Sequence, residues 1–260
     1  MYGKLSERCW EKMDKSGYSS GLSAAAGKLL IGERYISLLA KPLAALGFEA
    51  ISVPGNPNVD ERLSSHCDLS LFYPGGDILF CADYISGSSF SDKLSQIGLN
   101  IEYIDEKQGK LYPKDALLNI CTVGGHYIFN PKVSSAKAVK FLNGQGREPV
   151  PVRQGYAKCS NCVVSDNAII TADSSIARAC MNKGMDVLKI NPGYVVLEGF
   201  EYGFIGGASF KISDDILCFT GQLELHPDKA DILSFVDSHS VKPVFLTDYP
   251  IFDIGGAVLL

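Results

Sequence analysis

The sequence predicts an α/β fold made of five repeats of one strand-strand-helix-strand (ββαβ) unit, closed into a propeller-like ring. Three observations predict it. Pairs of apolar strands around a polar turn recur along the chain, each pair leads into a short amphipathic stretch, and a third strand follows that stretch. In addition, the C-terminal IFDIGGAVLL repeats the opening of GFIGGASFKI, as expected if one unit is split between the termini and the last strand pairs with the first.

In chain order, SERCWEKMDKSG reads as a helix within an appended N-terminal segment, residues 1–21, with Trp10 packing on the ring. Residues 22–260 read as a single domain, because no composition shift or Pro/Ser/Gly-rich linker divides them. KLLIGE is the second strand of the split unit, RYISLLAKPLAALG its helix and FEAISV its third strand, and VPGNPNVDE is a loop to the next unit. DLSLFY-PGG-DILFCAD, SFSDKLSQIG and LNIEYID form the second unit, while ALLNICTV-GG-HYIFN, SSAKAVKFLNG and PVPV form the third. NCVV-SDN-AIITAD with SSIARACMNKG and DVLKIN gives the fourth, and GASFKI-SDD-ILCFTGQ with a helix from Asp228 to His239 and VKPVFLTD gives the fifth. SDN and SDD are polar breakers between alternating apolar strands, as hairpins require.

The helix ends fix the period. Gly47, Gly98, Gly146 and Gly184 stand where a helix C-terminus takes a left-handed residue, and Ser240 replaces the fifth glycine. Third strands therefore begin at about Phe48, Leu99, Glu148, Asp186 and Lys242. A doubly wound nucleotide-binding sheet needs a glycine-rich loop leading from strand into helix, whereas Gly144 and Gly146 lead from helix into strand.

Composition narrows the class. With 46% hydrophobic and 20% charged residues the chain has the mass for a packed core. The formal net charge of −5, with no basic block, argues against nucleic acid or an anionic membrane as partner. No apolar run approaches the ~18 residues of a membrane span. The N-terminus carries acids where an export signal needs an apolar stretch, so a cytoplasmic location and reduced thiols are expected for the 8 cysteines.

The fivefold ring resembles the pentein superfamily, the guanidino-group-modifying fold of arginine deiminases, agmatine deiminases and amidinotransferases. YAKCSNCVVSDNAIITAD, GFIGGASFKISDDILCFTGQLELHPD and DIGG are similar to an uncharacterised bacterial family within it, the YGFIGG segment from Tyr202 to Gly207 most of all. The resemblance implies a His-x-Asp pair opening the first strand of one unit and a nucleophilic Cys on the first strand of the next. His66-Cys67-Asp68 has that spacing, and on a period-2 strand its imidazole and carboxylate share a face. Cys121 in LNICTVGG is the matching thiol, one unit later. These three are the expected catalytic residues: Cys121 attacks, His66 moves protons and Asp68 holds a cationic nitrogen. The chain departs from the family pattern in having no Cys in its C-terminal IGGAVLL and in its early His-x-Asp; a site rotated around the ring would accommodate both.

Residues expected to face a small cationic amidine-type ligand are Asn119 beside Cys121, Glu198 and Glu201 in the loop before GFIGG, Gly206 and Gly207, Ser209, and Cys159 at the position equivalent to Gly207. The glycine pairs 206–207 and 255–256 call for either close backbone approach or bulging. Cys159-x-x-Cys162 has no second ligand pair for a structural zinc and opens a strand rather than a helix, so neither metal nor cofactor is expected. The functional expectation is a hydrolase or transferase acting at an amidine or guanidine C–N bond through a thiol adduct. A non-catalytic binding protein of the same fold and a thiol redox sensor are the alternatives, and the sequence leaves the oligomeric state open.

Overall fold

The computed structural model describes residues 27–260; the expected appended helix and Trp10 lie outside the described residues. The first unit consists of strand β1 (Gly27–Gly32), helix α1 (Glu33–Ala45) and strand β2 (Phe48–Val53). The second runs through α2 (Cys67–Ser70), β3 (Leu71–Phe72), β4 (Ile78–Cys81), α3 (Ser89–Gln96) and β5 (Asn100–Tyr103). The third holds β6 (Cys121–Val123), β7 (His126–Phe129), α4 (Ala136–Gly144) and β8 (Glu148–Pro151). The fourth holds α5 (Ala157–Ser160), β9 (Asn161–Ser165), β10 (Ala168–Thr171), α6 (Ser174–Met181) and β11 (Asp186–Lys189). The fifth holds β12 (Ser209–Ser213), β13 (Ile216–Phe219), α7 (Lys229–Ser238) and β14 (Lys242–Phe245), after which β15 (Val258–Leu259) ends the chain.

Each unit forms its own three-stranded sheet, in which a hairpin pairs the first two strands antiparallel and the helix returns the chain to a parallel third strand. The split unit follows the same plan with the terminal strand as its first member. Leu29 stands opposite Leu259 and Leu30 opposite Val258, antiparallel, while β1 pairs parallel with β2. The helix exits behave as the glycine spacing requires: Gly47, Gly98, Gly146 and Gly184 all have positive φ, and Ser240 takes φ 58° in the fifth copy.

Apolar clusters bind successive units. One joins Leu30 and Val53 to Leu79 and Leu94, a second Phe80 to Tyr127 and Leu142, and a third Cys121 and Val123 to Ile169 and Ile176. A fourth joins Val164 and Ile170 to Leu217 and Phe219, and the last returns from Phe210 and Cys218 to Leu29 and Leu39 of the first unit. No helix among the described residues is long and apolar enough to cross a membrane.

One local difference matters for function. The expected first strands of the second and fourth units do not begin extended; each opens with a single helical turn, α2 or α5, and only then enters β3 or β9. His66 and Asp68 therefore do not share a strand face, as a period-2 reading supposes. His66 is the residue before the α2 turn, with extended φ/ψ of −79° and 112°, and Asp68 lies within the turn.

Candidate active site

The two helical turns carry the site. The α2 turn is held at His66, whose amide donates to Leu63 O at 2.9 Å, and at Asp68, whose amide donates to Gly255 O at 3.3 Å. Behind it, Gln108 donates through Nε2 to Leu69 O, and Asn56 donates to Gln108 Oε1 at 2.8 Å and to Ser70 Oγ at 3.2 Å. The α5 turn begins without a cap of its own; Asn119 supplies one from the third unit, its Oδ1 accepting from Lys158 N at 2.7 Å and Cys159 N at 3.1 Å.

These turns bring Cys159 and Asp68 together across 91 residues of sequence. Cys159 Sγ donates to Asp68 Oδ2 at 2.6 Å and receives a hydrogen bond from Asn119 Nδ2 at 3.3 Å. One ligand atom each from His66, Asp68 and Cys159 lies within 4.8 Å of the others, all three residues being buried. Such a nitrogen, oxygen and sulfur set could also hold a zinc-like cation, although the sequence carried no expectation of a metal. His66 Nε2 and Asp68 Oδ1 are buried without a partner, and His66, Cys159 and Asp253 line a cavity of about 290 Å³. Asp68 does not line that cavity; with Lys158 it borders a second, smaller one of about 150 Å³.

Cys121 stands elsewhere. It sits on β6 at 0% exposure in the apolar cluster with Val123, Ile128 and Val150, and burial pushes its thiol up to about 11. The thiol that the structure joins to His66 and Asp68 is Cys159, which does not open a strand but lies within a helical turn. Cys162, three residues on, points into the apolar cluster between the fourth and fifth units, and both cysteines are free thiols.

Asp253 is the site residue that sequence reasoning missed. Its Oδ2 accepts from Phe204 N and its Oδ1 from Gly255 N, both at 2.8 Å, and Oδ1 lies 3.9 Å from His66 Nδ1. The signal was present in the repeat: IFDIGG aligns with GFIGG so that an acid stands where Phe204 stands, one isoleucine before a glycine pair. That pair and its counterpart are explained by close approach. A Cβ on Gly207 would lie 1.9 Å from Asp253 Oδ1, and one on Gly255, with φ +69°, would lie 2.5 Å from His66 Cβ.

The remaining expected ligand-facing residues divide. Glu201 lines the 290 Å³ cavity, whereas Glu198 is turned to Arg34 at 3.8 Å. Gly206 O accepts from Lys158 Nζ at 3.2 Å, and Ser209 Oγ is spent on Ile205 O at 2.8 Å. Asn119 holds the α5 turn and the thiol rather than the cavity.

Electrostatics follow from burial. Desolvation raises the Asp68 carboxyl to about 7, against the hydrogen bond from Cys159, which favours its ionised form. Burial, with Asp68 and Asp253 nearby, holds the Cys159 thiol well above the usual cysteine range. His66 is pushed below the usual imidazole range by burial, with Asp253 pulling the other way. Burial therefore favours a protonated Cys159 thiol that shares its proton with Asp68 beside a neutral imidazole.

Comparison with known proteins adds three findings. A model of a family described as "Family of unknown function (DUF6873)" matches residues 30–258. No protein of curated function matches the sequence. Similar solved structures include a mutant of DDAH from Pseudomonas aeruginosa complexed with citrulline, with TM-score 0.56 and 10% identity over 90% of this chain and 99% of that one. SxtG, an amidinotransferase from Microseira wollei in the saxitoxin biosynthetic pathway, gives TM-score 0.52 and 9% identity over 91% of this chain and 96% of that one. The inosamine-phosphate amidinotransferase STRB1 from Streptomyces griseus gives 0.50 and 11% identity over 86% and 77%. At these identities the likeness establishes the fold: the chain shares the pentein fold with these guanidino-group-modifying enzymes.

Proposed function

Since the chain belongs to the family of unknown function DUF6873, its chemistry has to be read from the site, and we propose an enzyme that hydrolyses or transfers at the carbon of an amidine or guanidine, with Cys159 as nucleophile. The observation that carries the reading is the 2.6 Å contact between Cys159 Sγ and Asp68 Oδ2 beside a buried imidazole. Cys159 thus takes the role that the sequence assigned to Cys121, because a nucleophile must reach its proton acceptor and the substrate's carboxylate anchor. We also infer that the cycle of apolar contacts from each unit to the next, returning from the fifth to the first, closes the five sheets into a ring around this site.

A planar amidinium entering the cavity exchanges the thiol for its own N–H groups as the donor to Asp68. Its positive charge offsets the carboxylates that keep the thiol protonated, so the thiolate becomes accessible only when substrate is bound. The thiol proton passes to His66. Cys159 Sγ forms a bond to the amidine carbon as the C=N electron pair moves onto nitrogen. The carbon–nitrogen bond to the leaving amine then breaks, with His66 returning the proton to that amine. Water, or an acceptor amine in a transferase, attacks the thiouronium carbon, His66 takes its proton, and the C–S bond breaks to restore the thiol.

The test is covalent labelling with 2-chloroacetamidine followed by peptide mapping. The expected adduct is on Cys159, at least ~10-fold faster than with chloroacetamide, and absent in Asp68→Ala. Labelling at Cys121 instead, spread over several cysteines, or equal for the two reagents overturns the assignment.

A further inference from the structure

A further cavity, of about 430 Å³, lies where the start of α6, the segment joining the fourth and fifth units, and His226 meet. It shares only Tyr202 and Phe204 with the cavity beside Cys159, and its volume is that of a small-molecule site. Three of its polar groups keep hydrogen-bonding capacity that the described residues leave unused. Ser160, 2% exposed, lines the cavity with a hydroxyl that has no partner, which is rare for a buried group. His226, 4% exposed, accepts from Asp228 N through Nδ1 at 3.1 Å, so the ring proton sits on Nε2, and burial holds the imidazole below its usual range. Nε2–H is an uncharged donor with no acceptor among the described residues. Asp173 caps α6: Oδ1 accepts from Ser175 N and Ser175 Oγ at 2.7 Å and from Ile176 N at 2.9 Å, while Oδ2 accepts from none of the described residues.

These groups sort ligands by charge. Asp173 is the only acid among the described residues that line the cavity, and no Lys or Arg joins it, so an anion meets a carboxylate without a counter-charge. An ammonium group would satisfy Asp173, but it has no acceptor for His226 Nε2–H and it meets the positive end of α6. A hydroxyl both donates and accepts. Several on one ring serve Asp173, His226 and Ser160 together, while the C–H faces of that ring pack on the half-buried Tyr194 and Phe204.

We propose that this cavity is a second binding site, for an uncharged ring bearing several hydroxyl groups, with Asp173, His226 and Ser160 as its polar contacts. A free sugar and the sugar of a nucleoside share this chemistry. The site goes beyond the amidine reading and stands independently of it, since neither Asp68 nor Cys159 lines the cavity.

The test is saturation-transfer NMR followed by calorimetric titration of the full chain with D-glucose, D-galactose, D-ribose and adenosine. Binding of a sugar assigns the free ring; binding of adenosine alone assigns the nucleoside. Glucose 6-phosphate, glucosamine and AMP are expected to bind at least ~10-fold more weakly than their uncharged parents. Asp173→Asn keeps the helix cap but puts a donor in place of the Oδ2 acceptor, and His226→Asn keeps an acceptor for Asp228 N but removes Nε2–H; each should weaken binding at least ~10-fold. Ser160→Ala removes a buried hydroxyl without a partner, so the free protein's thermal midpoint should hold or rise while affinity falls roughly 3- to 10-fold. Binding of adenine as tight as that of adenosine, charged analogues as tight as their parents, affinity untouched by all three substitutions, or no binding of any of the four probes overturns the proposal.

Discussion

At the scale of single residues, the site is a balance between burial and charge, and Asp68 shows its sign. Its folded carboxyl lies near 7, above the ordinary value near 4, so the folded state binds the proton more tightly than the unfolded chain. Its contribution is therefore most favourable in acid, falls as pH rises through the interval between those values, and is fully unfavourable above about 7. Asp68→Asn removes the ionisable group, so it should stabilise the protein at pH 8 by on the order of 2–4 kcal/mol and change little at pH 4, as urea titration at the two pH values would show. Equal effects at both would mean that Asp68 stays ionised in the folded state. Gly207 carries a steric prediction. A methyl group there would meet Asp253 Oδ1 at 1.9 Å, so Gly207→Ala should displace that carboxylate and slow 2-chloroacetamidine labelling of Cys159 at least ~10-fold. Unchanged labelling would remove Asp253 from the site.

At the scale of elements, the repeated helix exit is a backbone device whose cost depends on the side chain. Gly98 has φ +91° with open space where a Cβ would stand, so Gly98→Ala should lose ~1 kcal/mol through strain alone. Ser240 takes the same left-handed conformation, at φ 58°, while bearing a side chain. Ser240→Gly should relieve that strain and stabilise the fold by several tenths of a kcal/mol to ~1 kcal/mol, with the opposite sign to Gly98→Ala in the same unfolding assay. The entries to the units are less regular than the exits. Two of them, α2 and α5, wind one helical turn before the first strand, and those two carry His66, Asp68 and Cys159. A one-turn helix of four residues has no amphipathic period to announce it, and CDLS and AKCS lie beside apolar strand residues, which is why period-2 reasoning extended the strands over them.

At the scale of the whole molecule, the termini share one sheet, and the segment leading into the last strand also reaches the candidate site. Val258 and Leu259 pair with Leu30 and Leu29, and the preceding segment supplies Asp253, Ile254 and Gly255, the last packed on His66. Deleting residues 251–260 exposes the edge of β1 and opens the apolar cluster between the fifth and first units, so the truncated chain should show no cooperative thermal transition. A sharp transition near that of the full chain would contradict it. The repeat, the helix exits and the pairing of the terminal strands could be read from the sequence because each is encoded locally: polar turns between alternating apolar runs, a glycine or Ser240 at each exit, and the echo of GFIGG in FDIGG. His66, Asp68 and Cys159, which the structure brings together, could be singled out for the same reason, as places within a unit. Which thiol meets the His-x-Asp pair was decided only by the tertiary structure. Both cysteines are buried, but the helical turn of α5, capped from the third unit by Asn119, aims Cys159 at a carboxylate 91 residues away, while packing between the third and fourth units encloses Cys121 among apolar side chains. Local sequence sets where a strand or helix stops; the direction a side chain takes at that stop depends on what the neighbouring units place against it.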